Sequence, residues 1–139
     1  MAKVKKVCNG GQWTQARFNS FISSALRAAH SRWDPKSKAL KRAWVRRGVY
    51  KCEGCGTEGP KSLPPLEGNK RRRNNAAVDH RSPVVDPYVG KRSWDEYIDR
   101  MFIEVDGYDV LCYECHSAVT SKERKVATER RRKEKLSHE

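Results

Sequence analysis

Cys52-Glu53-Gly54-Cys55-Gly56 and Cys112-Tyr113-Glu114-Cys115-His116 decide how this chain folds. Two residues between paired cysteines let both sulfurs reach one metal from a tight turn, and two such pairs complete a tetrahedron of four thiolates. Gly54 and Gly56 supply the freedom that a knuckle turn demands. The stretch between the pairs is long enough to enclose a strand, a loop and a helix. A redox dithiol would need a thioredoxin-like strand-helix frame, which the flanking sequence lacks. The spacing therefore predicts a structural Zn2+ on Cys52, Cys55, Cys112 and Cys115. Four thiolates saturate zinc, so any catalytic metal would be a second ion. Cys8, the fifth cysteine, stands alone near the amino terminus.

Working outward, Val78-Asp79-His80 reads as the end of a short strand over 76–80, turned by Arg81-Ser82-Pro83. A helix is predicted over 93–102, capped by Ser93, with Asp95 and Glu96 favourable in its first turn. Asp106-Gly107 marks a turn, residues 108–111 are extended, and a helix begins at Tyr113. Upstream, Thr14 caps a helix reaching about Trp33, whose stripe is Phe18, Phe21, Ile22, Ala25, Leu26 and Ala29. Asp34-Pro35 ends it, and a second helix is expected over 37–47, closed by Gly48. Residues 1–12 read as loose, 56–77 as a long loop and the end of the chain as a solvated helix. His30 and His138 read as surface residues.

The chain has 139 residues with 37% hydrophobic side chains, so its core must be modest and a metal staple is a natural supplement. Lys and Arg number 30 against 17 Asp and Glu, for a net charge of +13, which points to a polyanionic partner. Lys70, Arg71, Arg72 and Arg73 lie just before the Asp-His strand. Arg42, Arg46 and Arg47, with Lys122, Arg124 and Lys125, are placed to extend a phosphate track. No dedicated base-reading motif is visible, so low sequence specificity is expected. No apolar run approaches the roughly 20 residues of a membrane span, and no signal core follows the basic start. A reducing cytoplasm is the expected compartment.

Val78-Asp79-His80-Arg81-Ser82-Pro83-Val84, followed by Val110-Leu111-Cys112-Tyr113-Glu114-Cys115-His116, resembles the HNH endonuclease motif, in particular that of small bacteriophage HNH proteins. Trp13-Thr14-Gln15-Ala16-Arg17-Phe18 and Ser93-Trp94-Asp95-Glu96 resemble flanking helices of the same group, and the similarity covers roughly residues 13–124. The resemblance implies an α+β fold, a small treble-clef or ββα-metal domain. It would occupy 49–127, with a basic amino-terminal helical extension over 1–48 and a basic tail over 128–139. It implies metal-dependent hydrolysis of DNA phosphodiester bonds, nicking or double-stranded, in phage DNA processing or packaging inside a bacterial host. His80 would be the general base. Asp79 and His116 would hold a divalent ion such as Mg2+ or Mn2+. Phage packaging or replication proteins are the implied partners besides DNA.

The chain departs from the family pattern at two places. Gly107 stands where the family usually has asparagine, five positions before the third cysteine. Val119 stands where a lysine often follows the last histidine. The alternative expectation is a zinc-stapled nucleic-acid-binding module without catalysis.

Overall fold

The structure is a computed structural model that describes residues 3–137. It divides into two compact units, Met1–Trp33 and Asp34–Glu139. Of the expected helical extension 1–48, residues 34–48 therefore belong to the second unit.

In the first unit, β1 (Lys6–Cys8) pairs antiparallel with β2 (Trp13–Thr14). This segment was expected to be loose. Asn9, Gly10 and Gly11 all adopt positive φ, and together they reverse the chain into a hairpin instead of merely breaking it. α1 (Gln15–His30) starts where the sequence predicts, with the Thr14 side chain accepting a hydrogen bond from the Arg17 N–H at 3.2 Å. Trp13 packs edge-on against Phe21, and the Arg17 guanidinium lies 4.5 Å from the Trp13 ring centre. His30, expected on the surface, is buried. His138 lies outside the described residues.

The second unit opens with α2 (Asp34–Ala43). Asp34-Pro35 starts this helix and does not end the one before it, which already closes at His30 with Ser31 as its cap: proline is tolerated in a first turn, and Asp34 pairs with Lys38 one turn on. α2 stops four residues earlier than predicted, because Trp44 and Val45 favour a pleated backbone. They form β3 (Trp44–Arg46), which turns through Gly48 at φ 76° into β4 (Val49–Lys51). Gly48 is therefore a hairpin residue, not a helix cap. β5 (Glu58–Gly59) joins β4, giving the order β3-β4-β5. The expected loop over 56–77 also holds β6 (Ser62–Leu63) paired with β7 (Arg73–Asn74).

β8 (Ala77–His80) and β9 (Tyr108–Leu111) form the antiparallel pair that carries the Asp-His segment. Val78 lies opposite Val110, Asp79 opposite Asp109, and His80 opposite Tyr108. Between these strands lie α3 (Trp94–Met101), capped by Ser93 as expected, and a single 3-10 turn, Val105–Gly107. α4 (Tyr113–Ser137) follows β9 directly and packs beside β8 and β9. The whole is a mixed α+β chain with small antiparallel sheets. Among the described residues, no helix is long and apolar enough to cross a membrane.

Ala43, Ala76 and Val110 form one buried cluster, with Leu40, Tyr50 and Val78 packed against it, and Tyr97, Met101, Tyr108 and Leu111 are buried as well. The alanines of that cluster bury only a methyl each. Arg42 adds a polar clamp. Its Nε and Nη2 donate to the Glu53 carboxylate at 2.8 and 2.6 Å, and Nη2 also donates to the Tyr108 carbonyl at 2.8 Å. Glu53 in turn accepts from the Val110 N–H at 2.7 Å. One guanidinium thus ties α2 to the first cysteine turn and to β9, and it is not part of an open phosphate track. Arg42→Ala should lower stability by about 1–3 kcal/mol. Arg42→Lys should restore little, because an ammonium lacks the fork. Thermal melting checks this, and an unchanged midpoint in Arg42→Ala would show that the clamp contributes nothing.

Candidate active site and metal centre

The strand β4 runs directly into Cys52. The Cys52 N–H donates to the Thr57 carbonyl at 2.9 Å, and the Gly56 N–H, at φ 80°, donates to the Cys52 carbonyl at 2.9 Å. This closes the knuckle. Gly54 is closely packed: a Cβ there would lie 3.2 Å from Leu111 Cδ2 and 3.4 Å from Cys115 Sγ, so both neighbours would have to give way slightly. The second pair is presented by the first turn of α4.

All four sulfurs lie within 4.8 Å of one another. Cys55 Sγ and Cys112 Sγ are 3.8 Å apart, matching the edge of about 3.8 Å in a tetrahedron with bonds of about 2.3 Å, the zinc–thiolate length. All five cysteines are free thiols. Burial would raise the Cys52 thiol, but backbone N–H donors from Cys55, Cys112 and Gly54 outweigh it and hold it at about 6. Hydrogen bonding to Cys112, Cys52 and Cys55 pushes Cys115 up to about 12. Without a cation the four thiols cannot all ionise together. A soft divalent ion supplies the missing countercharge, and the donor set fits zinc.

Asp79 and His80 sit at the end of β8 on opposite faces, sharing them with Asp109 and Tyr108 respectively. The His80 Nε2 lies 2.8 Å from the Met101 carbonyl oxygen. A carbonyl only accepts, so Nε2 carries the proton and Nδ1 is the nitrogen able to take one. The Tyr108 ring stands 5.0 Å from the imidazole, centre to centre, and its hydroxyl donates to the same carbonyl at 3.4 Å. Burial pushes the Tyr108 hydroxyl up to about 12, so it stays protonated as that donor. Met101, at the end of α3, therefore fixes the imidazole from a distant part of the chain.

Burial raises the Asp79 carboxyl above its ordinary range, and the positive fields of His116 and His80 oppose the rise. Glu123 is raised by burial and by Asp79, and lowered by His116. Asp79, His116 and Glu123 therefore share one electrostatic neighbourhood. Glu123 escaped the sequence reading. Its only signal is its position seven residues after His116, two helical turns on and so on the same face. Among the described residues, the four cysteines are the only set of three or more ligating groups drawn within 4.8 Å. Asp79 and His116 do not gather a third such group at that distance.

At Gly107 a Cβ would lie 2.6 Å from Ile103 Cδ1, so an asparagine there would displace Ile103. The Gly107 carbonyl accepts from the Arg81 N–H at 2.9 Å. Asp109 pairs with Arg81 at 2.8 Å.

The basic residues separate into two groups. Lys70, Arg71, Arg47, Lys122 and Arg124 are exposed. Arg72 donates to Ser62 Oγ at 3.0 Å, and Arg73 donates to the Pro64 carbonyl at 2.9 Å and lies over the Tyr113 ring. These two brace their own loop. Arg46 pairs with Glu58 at 3.6 Å from strand β3, not from a helix face. Cys8 lies in the first unit, its Sγ 3.6 Å from Gln15 Oε1.

Comparisons of this chain with models of protein families, with curated proteins and with solved structures find no match.

The purified protein should carry one zinc per chain. Gly54→Ala should loosen it, because the added methyl meets Leu111 and Cys115. Cys115→Ser should unfold the second unit, since metal affinity in such a site is folding energy. Elemental analysis combined with circular dichroism measures both. A folded preparation without zinc would contradict the assignment.

Proposed function

We propose that this chain is a metal-dependent endonuclease of the HNH type, in which a zinc-stapled treble clef carries the ββα unit formed by β8, β9 and α4. The observation that carries the reading is the imidazole of His80. It is held by the Met101 carbonyl with its proton on Nε2, at the end of a strand whose Asp79 shares a field with His116.

Phosphodiester hydrolysis needs an activated water and relief of charge on the leaving oxygen. The Nδ1 of His80 takes the proton from water, and the resulting hydroxide attacks phosphorus as the bond to the 3′ oxygen breaks. Met101 and Tyr108 keep the ring in the accepting tautomer. Asp79 and His116 would hold a divalent ion such as Mg2+ or Mn2+, whose chemistry would be to polarise the phosphate and stabilise the departing oxygen. Burial makes the Asp79 charge costly, and a cation offsets that cost. The substrate is DNA, met chiefly through phosphate contacts, with little base selectivity. Phage DNA processing or packaging is the setting that the sequence resemblance implies.

A binding module without catalysis is the second reading, and one observation favours it: glycine stands at 107 in place of the family asparagine, with the Ile103 side chain over the position.

Plasmid DNA incubated with the protein should be nicked or linearised only when Mg2+ or Mn2+ is added. His80→Ala should slow cutting by about 10²- to 10⁴-fold, while zinc content and DNA affinity stay unchanged. Asp79→Ala and His116→Ala should regain part of their loss at high Mn2+, and His80→Ala should not. Cutting by His80→Ala at the parental rate would remove His80 from the chemistry. Tight DNA binding with no cutting under any divalent ion would favour the second reading.

A further inference from the structure

The carboxy-terminal half of α4 reads in sequence as a solvated, basic tail. In the structure it is one wall of a groove of about 500 Å³. Thr120, Arg124, Thr128 and Arg131 recur at helical spacing along that wall, and Val85 and Pro87 form the opposite side. The interleaved Ala127 keeps the floor low between the arginines.

The opposite wall is fixed in place. Gly90, at φ 81°, lies so close to the Arg130 guanidinium that any side-chain carbon at this position would overlap it. Arg130 is thereby drawn in against the loop. Its Nε is buried without a hydrogen-bond partner, with only the Glu134 carboxylate at 3.6 Å. The Glu134 carboxylate is the anion that faces it, so Arg130 braces the wall, and the exposed Arg124 and Arg131 are left to meet a ligand. The neighbouring arginines bring positive charge, and the two threonine hydroxyls are neutral donors to phosphate oxygens. Nothing along this wall is shaped to read a base edge.

The groove is directed. Glu123 lines it and also lines the adjoining groove beside Ser82 and Arg100. Its carboxylate shares a field with Asp79 and His116. A strand in the groove would therefore run from Arg131 towards the candidate catalytic group. Thr120 to Arg131 covers about 16 Å at about 1.5 Å per residue, enough to follow several phosphates of one strand.

We propose that this groove is a phosphate-backbone track for one strand of duplex DNA, which delivers the phosphodiester to the Asp79–His116 site. The occupant is nucleic acid, not an acidic protein, because the donors are spread along the helix at the scale of successive phosphates. The track rests on the nuclease reading for where the strand leads, and its binding role is testable without cutting.

The test measures binding of a fluorescent 24-base-pair duplex by fluorescence anisotropy across a salt series. It is done in the His80→Ala protein, so that cleavage plays no part. Arg124→Gln with Arg131→Gln should flatten the slope of log affinity against log salt by about 1.8, two phosphate contacts at about 0.9 each. Arg132→Gln with Lys135→Gln removes the same charge from positions of the same helix that do not line the groove, and should flatten it far less. Equal effects of the two pairs on the duplex would overturn the track and leave only a diffuse cationic tail. Loss of polyglutamate binding in the first pair, with duplex binding kept, would reassign the groove to an acidic protein and also overturn it. A parent protein that binds no duplex at all would sink the nuclease reading together with the track.

Discussion

Four cysteine sulfurs held within 4.8 Å of one another are the constraint on which the second unit depends. The strands are only two to four residues long and much of the buried core is alanine, so a tie between distant segments matters more here than in a large sheet. The cysteine cluster joins the knuckle after β4 to the junction of β9 and α4, two places far apart in the chain. Everything between them, from β5 to β9, is thereby enclosed in a loop, which a metal bound at the cluster would stabilise through the unfolded state as well as the folded one. Glu53, inside the knuckle, extends the same junction by pairing with Arg42 and with the Val110 N–H. A single short turn therefore fixes α2, β9 and the start of α4 against one another.

The candidate reaction centre inherits its position from that junction. β9 is the partner of β8, so anchoring β9 at Cys112 also places Asp79 and His80 opposite Asp109 and Tyr108. α4 begins at the cysteines, and His116 lies in its first turn. The remaining adjustment comes from α3, whose last carbonyl, at Met101, accepts from His80 and from Tyr108. The cost of this arrangement falls on Asp79, whose carboxylate is desolvated beside His116 and His80. A site that leaves a buried acid short of positive charge is one that favours a cation.

Much of this was legible in the sequence, and the failures have physical causes. Cysteine spacing announced the cluster, because two-residue gaps serve few other purposes. Thr14 and Ser93 announced their helices, since both side chains cap as expected. Trp44 and Val45 were misread because the helical periodicity of residues 37–43 runs straight into them, and only their pleat preference and Gly48 argue for a hairpin. The amino-terminal hairpin was missed because left-handed Asn9 beside two glycines looks, in sequence, like a simple break. Charge is visible in a sequence and hydrogen-bond partners are not, so the ties of Arg42, Arg72 and Arg73 to Glu53, Ser62 and Pro64 leave no sequence signal. Glu123 and Arg130 gave no usable signal: each takes its meaning from a loop or strand distant in the chain. The expected pairing of Asp79 and His116 as ligands of one ion remains a proposal that rests on their shared field.

The central claim is that two metals of different character sit at two places on one small scaffold. Anomalous diffraction from crystals soaked in Mn2+, recorded at the zinc and manganese edges, tests it directly. The account predicts a zinc peak among Cys52, Cys55, Cys112 and Cys115 and a separate manganese peak between Asp79 and His116. A zinc peak alone, with no manganese near Asp79 at saturating concentration, would contradict it and leave a stapled nucleic-acid-binding scaffold.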